Sequence, residues 1–312
     1  MREMAVLPAE RGNGTAVTAD VSVVITTYNH AHFLSAAIES VLDQSVLPAE
    51  ILVVDDGSTD APDKVTGRFA GVRLYRQDNR GLAAARNAGL RETSGEFLVF
   101  LDADDLLLPQ SLASGVALLA QHPDAAFSYG GYRRLYADGR TYPAEYHQAQ
   151  TDCFAQFLSH NPVGMHGTVM YRRHAIEAAK GFREDLAASE DYDLFLRLCR
   201  DHRAVSQSGF LADYRQHDCN MSRNSAMMLR WTLEVLHARA EDAKRLGLDD
   251  VLAKGSRSWR EYYAGVWANQ LLRGPRHMQL ITQGIDLMRQ APRETAAALV
   301  RGTRSRLQEF RR

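Results

Sequence analysis

Three carboxylates stand within four positions at Asp102, Asp104 and Asp105, directly after the apolar run Phe97–Leu101 and before three leucines. Acids this close repel one another and lose solvation, so a cation is expected to neutralise part of their charge. A helix or turn start accounts for one or two of them, because Asp favours caps and first turns. A hard divalent ion such as Mg2+ or Mn2+ accounts for the cluster: it prefers oxygen, takes one or two carboxylates, and completes its shell with water and phosphate. Metal-assisted binding of a diphosphate is therefore the chemistry expected here.

Three further groups carry polar chemistry. Asp55-Asp56-Gly57-Ser58-Thr59-Asp60 follows the apolar run Ile51–Val54. It is ordinary turn composition, or an acid placed to accept hydrogen bonds from a base or ribose. Thr26-Thr27-Tyr28-Asn29 follows Val21–Ile25, and Tyr28 either stacks on a nucleobase or packs. Glu190-Asp191 opens an apolar-periodic segment in which acids suit a helix N-terminus, or in which one acid serves as a general base. Asp193 competes for that role but is expected to face solvent or a cap. His217 lies in Tyr214–Ser222 and is a surface or core group, or a ligand for Mn2+. His30, His32 and His166 carry no comparable support, although His166 could sit near an acceptor.

The elements that must position these residues follow from periodicity. Val21–Thr26 and Ile51–Val54 read as buried strands, the first on both faces, and Val72–Gln77 and Phe97–Leu101 as a third and a fourth strand. Phe33, Leu34, Ala37, Ile38, Val41 and Leu42 form a helical stripe, and Leu82–Glu92 is helical. The alternation predicts an α/β fold with a mostly parallel sheet sandwiched by helices. Right-handed crossovers put the strand C-termini on one edge, where the acidic groups meet in a crevice. The middle is less regular: a strand, turn and strand around Ala137-Asp138-Gly139, a strand entry at Gly164–Tyr171, and a helix from Glu190 capped by Ser189. From Ser225 the chain reads as a helical C-terminal appendage ending in a basic stretch.

The totals narrow the class. With 312 residues, 45% apolar and a net charge of −1, there is no global case for nucleic acid. Cys153, Cys199 and Cys219 are odd in number and far apart, which suits a reducing cytosol, with Cys199 as plain core. No apolar run reaches membrane-span length, and residues 1–20 lack a secretory core and read as a loose leader. The basic C-terminus is either a solvated helix end or a peripheral contact with the inner face of a membrane.

In order, V-S-V-V-I-T-T-Y-N, V-V-D-D-G-S-T-D, N-R-G-L-A-A-A-R-N-A-G and F-L-D-A-D-D resemble the family 2 glycosyltransferases. The likeness resumes at Gly164–Arg173, Gly181-Phe182 and Ser189–Leu198. It implies a GT-A fold over residues 21–224, with a nucleotide-binding half at 21–105 and an acceptor half at 106–224, followed by the helical region 225–312. It implies a nucleotide-diphosphate sugar donor, most often a uridine one, a saccharide or lipid-linked saccharide acceptor, and Mn2+ or Mg2+. Thr26, Tyr28, Asp56, Arg86, Asp102 and Ala103 then fall at the nucleotide sugar, Asp104 and His217 at the metal, and Asp105 behind them. Asp191 maps to the general base, with Glu190 orienting it or holding the acceptor. One base and no covalent intermediate imply inversion at the anomeric carbon, and surface polysaccharide or glycolipid assembly is the associated setting.

Competing readings fare worse. No G-x-G-x-x-G follows the first strand and no P-loop occurs, against a dinucleotide oxidoreductase or a P-loop enzyme. A metal-dependent nucleotidyltransferase would use the acids and the metal but not a base at Asp191. An inactive sugar-nucleotide-binding scaffold would not need every matched position filled. The absence of Q-x-x-R-W and of a membrane channel argues for single addition rather than processive synthesis.

Overall fold

A computed structural model describes residues 18–218, 220–273 and 278–309. Its centre is one nine-stranded mixed sheet. Strands β1 (Thr18–Thr27), β2 (Leu47–Asp55), β3 (Val72–Arg76) and β4 (Phe97–Asp102) run parallel in the order β3-β2-β1-β4. The connecting helices are α1 (Ala31–Leu42), α2 (Pro62–Thr66) and α3 (Leu82–Arg91). Register pairs Thr26 with both Val54 and Asp102, so the three polar strand ends lie side by side. The first strand begins at Thr18, three residues before the apolar run starts.

Close packing fixes α3 against β1. A Cβ on Gly89 would fall 2.3 Å from Val24 Cγ1, so only glycine lets the helix approach this closely. Gly57 has φ +83°, with Asn79 N 2.9 Å from where a Cβ would sit. That turn reverses the chain after β2 and brings Asp56 against the segment entering α3.

Beyond β4 the sheet changes direction. β5 (Leu106–Leu107), α4 (Ser111–Gln121), β6 (Ala125–Leu135), β7 (Thr141–Pro143) and α5 (Cys153–Ser159) lead to β8 (Met170–Arg172), α6 (Arg173–Ala178), α7 (Glu190–Asp201) and β9 (Arg203–Arg215). β8 is antiparallel to β4 and β6, β5 is antiparallel to β9, and β6 and β9 run parallel. The 13-residue β9, which periodicity did not reveal, carries the chain back from α7 to the acidic edge. There Leu106 pairs with Asp213.

Among the described residues five α-helices follow: α8 (Ser225–His237), α9 (Ala240–Arg245), α10 (Asp249–Arg273), α11 (Met278–Gln290) and α12 (Pro292–Glu309). Val235, Leu236 and Ala243 join the main core with Phe127, Phe157, Tyr171 and Phe195. Leu229, Tyr263, Trp267, Leu287 and Ala298 form a separate core among the C-terminal helices. The region is thus packed partly onto the sheet domain and partly on itself. Cys199 is free and buried, as expected of a core thiol, Cys153 is likewise free and buried, and Cys219 lies outside the described residues.

Candidate active site

The polar ends of β1, β2 and β4 lie together at the C-terminal edge of the sheet, and the loops there are stitched together by side chains. Asn29, at φ 56°, donates its N–H to Ser58 Oγ at 2.9 Å, while its own Oδ1 accepts from Thr59 N at 2.9 Å. Asp60 Oδ2 accepts from Ala31 N at 2.8 Å and satisfies an open donor at the start of α1. Asp55 Oδ1 accepts from Ser58 N at 2.8 Å. These bonds occupy four polar side chains of the two loops, Asn29, Asp55, Ser58 and Asp60, without any ligand.

Asp56 is buried and accepts from Gln77 Nε2 at 2.7 Å, Arg80 N at 2.9 Å and Gly81 N at 2.8 Å. It organises the entry to α3 and keeps about one of its roughly four acceptor sites free. Thr26 is buried and donates its hydroxyl to Asp102 Oδ1 at 2.9 Å. Ala103 is buried, with its N–H on Thr26 O at 3.0 Å. Tyr28 is half exposed at the rim, which leaves a ring face open for stacking.

The cation demanded by the acids is Arg86. Buried in the first turns of α3, it donates from one terminal nitrogen to Asp102 Oδ1 and Oδ2 at 3.0 and 3.2 Å. The other terminal nitrogen reaches Glu190 Oε1 at 2.6 Å, and Phe182 covers the guanidinium at 5.7 Å. One side chain therefore ties the end of β4 to the start of α7, and its own partner there, Glu190, is 104 residues away in sequence. Paired acids hold the Arg86 charge in place, though burial opposes it.

Glu190 and Asp191 begin α7. Burial pushes the Glu190 carboxyl up to about 7, against the pull of Arg86 and with the further push of Asp191. Burial also raises Asp191, opposed by Arg86 and by its bond from Tyr192 N at 2.7 Å. Two expectations at this helix are corrected. Ser189 makes no side-chain cap; it sits at φ 63° and its hydroxyl lies 3.2 Å from Thr232 Oγ1 of α8. Asp193 is fully buried rather than solvent-facing, and it receives Arg197 Nε at 2.7 Å with Arg183 at 3.6 Å. The apolar neighbour Leu194 gave no hint of this, because the arginines come from other turns and loops.

On the other side of the acidic knot, Asp104 Oδ2 lies 2.9 Å from His217 Nε2 and 3.9 Å from His30 Nδ1. Phe33 stacks on His217 at 5.2 Å and takes the Arg215 guanidinium on its ring at 4.9 Å. Arg215 donates its N–H to Asp105 Oδ1 at 2.9 Å and its Nε to Asp104 O at 2.8 Å. Burial, then the charges of Asp104 and Asp102, hold the Asp105 carboxyl well above the ordinary range. His30 is a member of this group that sequence reading set aside; its place just before α1, one turn from Phe33, was the available signal. His166 instead lies buried beneath the Arg86 side, its Nε2 2.7 Å from the Tyr171 hydroxyl, with burial and then Arg86 pushing it well below the usual histidine range.

Residues 22–179 match the family model described as glycosyl transferase family 2, just over half of the chain. The chain belongs to glycosyl transferase family 2 and is a glycosyltransferase. Among its relatives, a UDP-Glc:alpha-D-GlcNAc-diphosphoundecaprenol beta-1,3-glucosyltransferase of Escherichia coli (WfgD) is 28% identical over 69% of this chain and 85% of the relative. The chondroitin synthase of Pasteurella multocida is 29% identical over 57% of this chain, but the match spans only 18% of that protein. TarS residues 1–349 of S. aureus, solved with UDP-GlcNAc, superpose with a TM-score of 0.64 at 18% identity, covering 89% of this chain and 83% of that one. The mannosyltransferase PcManGT from Pyrobaculum calidifontis, solved with GDP-Man and Mn2+, gives 0.59 at 19% identity over 96% of this chain and 91% of that one. These likenesses establish the GT-A-like fold of this glycosyltransferase family 2 member.

The donor atoms fit a divalent ion of the Mg2+ or Mn2+ type. Among the described residues no group of three or more His, Cys, Asp or Glu side chains is arranged to hold a metal. Asp104 Oδ2 and His217 Nε2 nevertheless stand together as one oxygen and one nitrogen donor. Two protein donors suffice for an ion that takes its remaining ligands from phosphate oxygens and water.

Proposed function

We propose that the chain is an inverting, metal-assisted glycosyltransferase that moves a sugar from a nucleotide-diphosphate donor, a UDP-sugar, to a hydroxyl of a saccharide or lipid-linked saccharide. The observation that carries this reading is the double tie of Arg86, which holds the first acid of each pair, Asp102 and Glu190, and so brings the end of β4 and the start of α7 onto one guanidinium. The UDP-GlcNAc bound by TarS and the UDP-Glc named for WfgD support a uridine donor, and the diphosphoundecaprenol named for WfgD supports a lipid-linked acceptor in glycolipid or surface polysaccharide assembly. Mn2+ in the PcManGT structure supports the metal.

In this reading, residues 21–105 take the donor and 106–224 the acceptor. Tyr28 stacks on the base, Asp56 uses its spare lone pair on it, and the Thr26–Asp102–Arg86 group borders the ribose. Asp104 and His217 would hold the ion, which when bound offsets the charge growing on the leaving diphosphate. Asp191 accepts the proton of the acceptor hydroxyl as that oxygen bonds to the anomeric carbon. The bond from that carbon to the diphosphate breaks on the opposite face, and the nucleotide diphosphate departs. Burial makes Asp191 a stronger base than a solvated carboxylate, and Glu190, pinned by Arg86, fixes the start of α7 beneath it.

A thermal-shift screen of UDP- and GDP-sugars with Mn2+, Mg2+ or chelator tests the proposal. One nucleotide sugar should stabilise the protein selectively, and only with metal present. If no nucleotide sugar does so under any metal condition, the reading fails. Proton NMR of the product then reads the anomeric configuration, and retention would overturn inversion.

A further inference from the structure

Helix α11 has an apolar side that the core does not use. Gly284 and Leu287 are buried, and a Cβ on Gly284 would meet Trp267 at 2.3 Å. Gln290 faces α8 through a bond from Nε2 to Ala226 O at 3.2 Å. A separate stripe, Met278, Ile281, Ile285 and Met288, recurs at i, i+3, i+7 and i+10 and is exposed by 77, 55, 52 and 45%. Scattered surface apolar residues need no explanation, but four large ones aligned on a single helix face mark a contact surface.

Charge identifies what that surface fits. From Arg273 to Arg312 the sequence holds nine arginines and three acids, a net +6, whereas the whole chain is at −1 and the remainder therefore at −7. Arg289, at the end of α11, and Arg293, at the start of α12, are exposed; Arg289 also reaches Asp286 Oδ1 at 3.0 Å. An apolar stripe edged with arginine is the composition of a helix that lies in the headgroup layer of a bilayer. A second copy of the chain meeting this face by two-fold symmetry would set the same positive charge against itself. No described helix is long and apolar enough to cross a membrane, so contact through this face would be peripheral.

We propose that the Met278–Met288 face of α11 docks on an anionic phospholipid surface, with its apolar side chains in the acyl boundary and the arginines on lipid phosphates. The location has a consequence for the reaction centre. Gln279 and Gln283 of α11 share a cavity with Asp218, Asn220 and Arg223, the loop that directly follows His217. Docking would bring that loop close to the headgroups, where a lipid-linked acceptor is presented. The docking itself does not depend on the sugar-transfer reading.

Co-sedimentation of the full chain with sucrose-loaded vesicles tests it, comparing phosphatidylglycerol/phosphatidylcholine mixtures with phosphatidylcholine alone. The chain should bind the mixed vesicles and bind pure phosphatidylcholine far less. The double variant Ile281→Glu/Ile285→Glu should lose roughly tenfold or more in partitioning. Its unfolding temperature should match the parent, since both positions are exposed. Ile285→Trp should bind at least as well as the parent, because the indole favours the interface. Equal binding by the double variant would overturn the proposal in favour of arginine electrostatics alone. A parent dimer that the double variant dissolves, with no vesicle binding, would assign the stripe to a subunit interface. Nucleotide-sugar binding measured on the same samples keeps failure of docking distinct from failure of the transferase reading.

Discussion

Asp102 and Asp104 stand two residues apart, yet Asp102 gives its oxygens to Arg86 and Thr26, whereas the Asp104 carboxylate meets, among the described residues, only histidine side chains. The same contrast recurs at α7, where Glu190 is tied by Arg86 and Asp191 receives a single bond from its neighbour's N–H. In each pair the first acid is structural and the second is open. A buried acid bound to a buried guanidinium is locked, because separating them strands charge in a poor solvent. An acid facing histidine, or only a backbone N–H, can exchange that contact for a ligand at small cost. The contrast separates residues whose loss should harm the fold from residues whose loss should harm only chemistry.

The open acid of α7 offers the sharpest test. Asp191→Asn should keep nucleotide-sugar binding and lower transfer by roughly 10²–10⁴-fold, read by calorimetry and steady-state kinetics. Near-normal transfer would remove Asp191 from the role of base. Next comes the tie itself: Arg86→Met leaves Asp102 and Glu190 buried without a partner and should cost about 3–5 kcal/mol in denaturant unfolding. Arg86→Lys should restore little, since one ammonium cannot span two acids in this geometry. Asp104→Ala should lower turnover by about 10²–10³-fold and abolish the metal dependence of donor binding, with an unfolding free energy close to the parent's. A large loss of stability in Asp104→Ala would erase the distinction between tied and open acids.

The pH profile sharpens it further. A base must be unprotonated to act, so transfer should fall as pH drops through the apparent pKa of the Glu190–Asp191 pair, which burial has moved up toward neutrality. Glu190→Gln removes one of two adjacent carboxylates and should shift the acid limb of kcat/KM to lower pH by about one unit or less. An unmoved limb would mean that the two carboxyls do not titrate together. The smallest effect is expected at His30, 3.9 Å from Asp104. His30→Ala should weaken Mn2+ activation severalfold at most, on the order of 1 kcal/mol.

The strands of the parallel half were legible because a strand buried on both faces must be a continuous apolar run, and β1, β2 and β4 are such runs ending in polar residues. The same logic found the acids, since parallel strands deliver their C-termini to one edge. β9 was not legible: its 13 residues alternate between buried and exposed stretches, and its ladder partners, β6 and β5, lie far upstream. Ser189 fits a cap by residue type, but its αL backbone turns the hydroxyl to Thr232. Arg86 was placed near a nucleotide by resemblance; the bond it makes to Glu190 depends on how α3 and α7 pack.

The sequence by itself determined which acids end strands and which open a helix, because hydrophobic period and turn chemistry act over neighbouring residues. Only the tertiary structure decided which of those acids are paired. Pairing depends on the approach of side chains about a hundred positions apart, Arg86 to Glu190 and His217 to Asp104, and no local pattern encodes that distance.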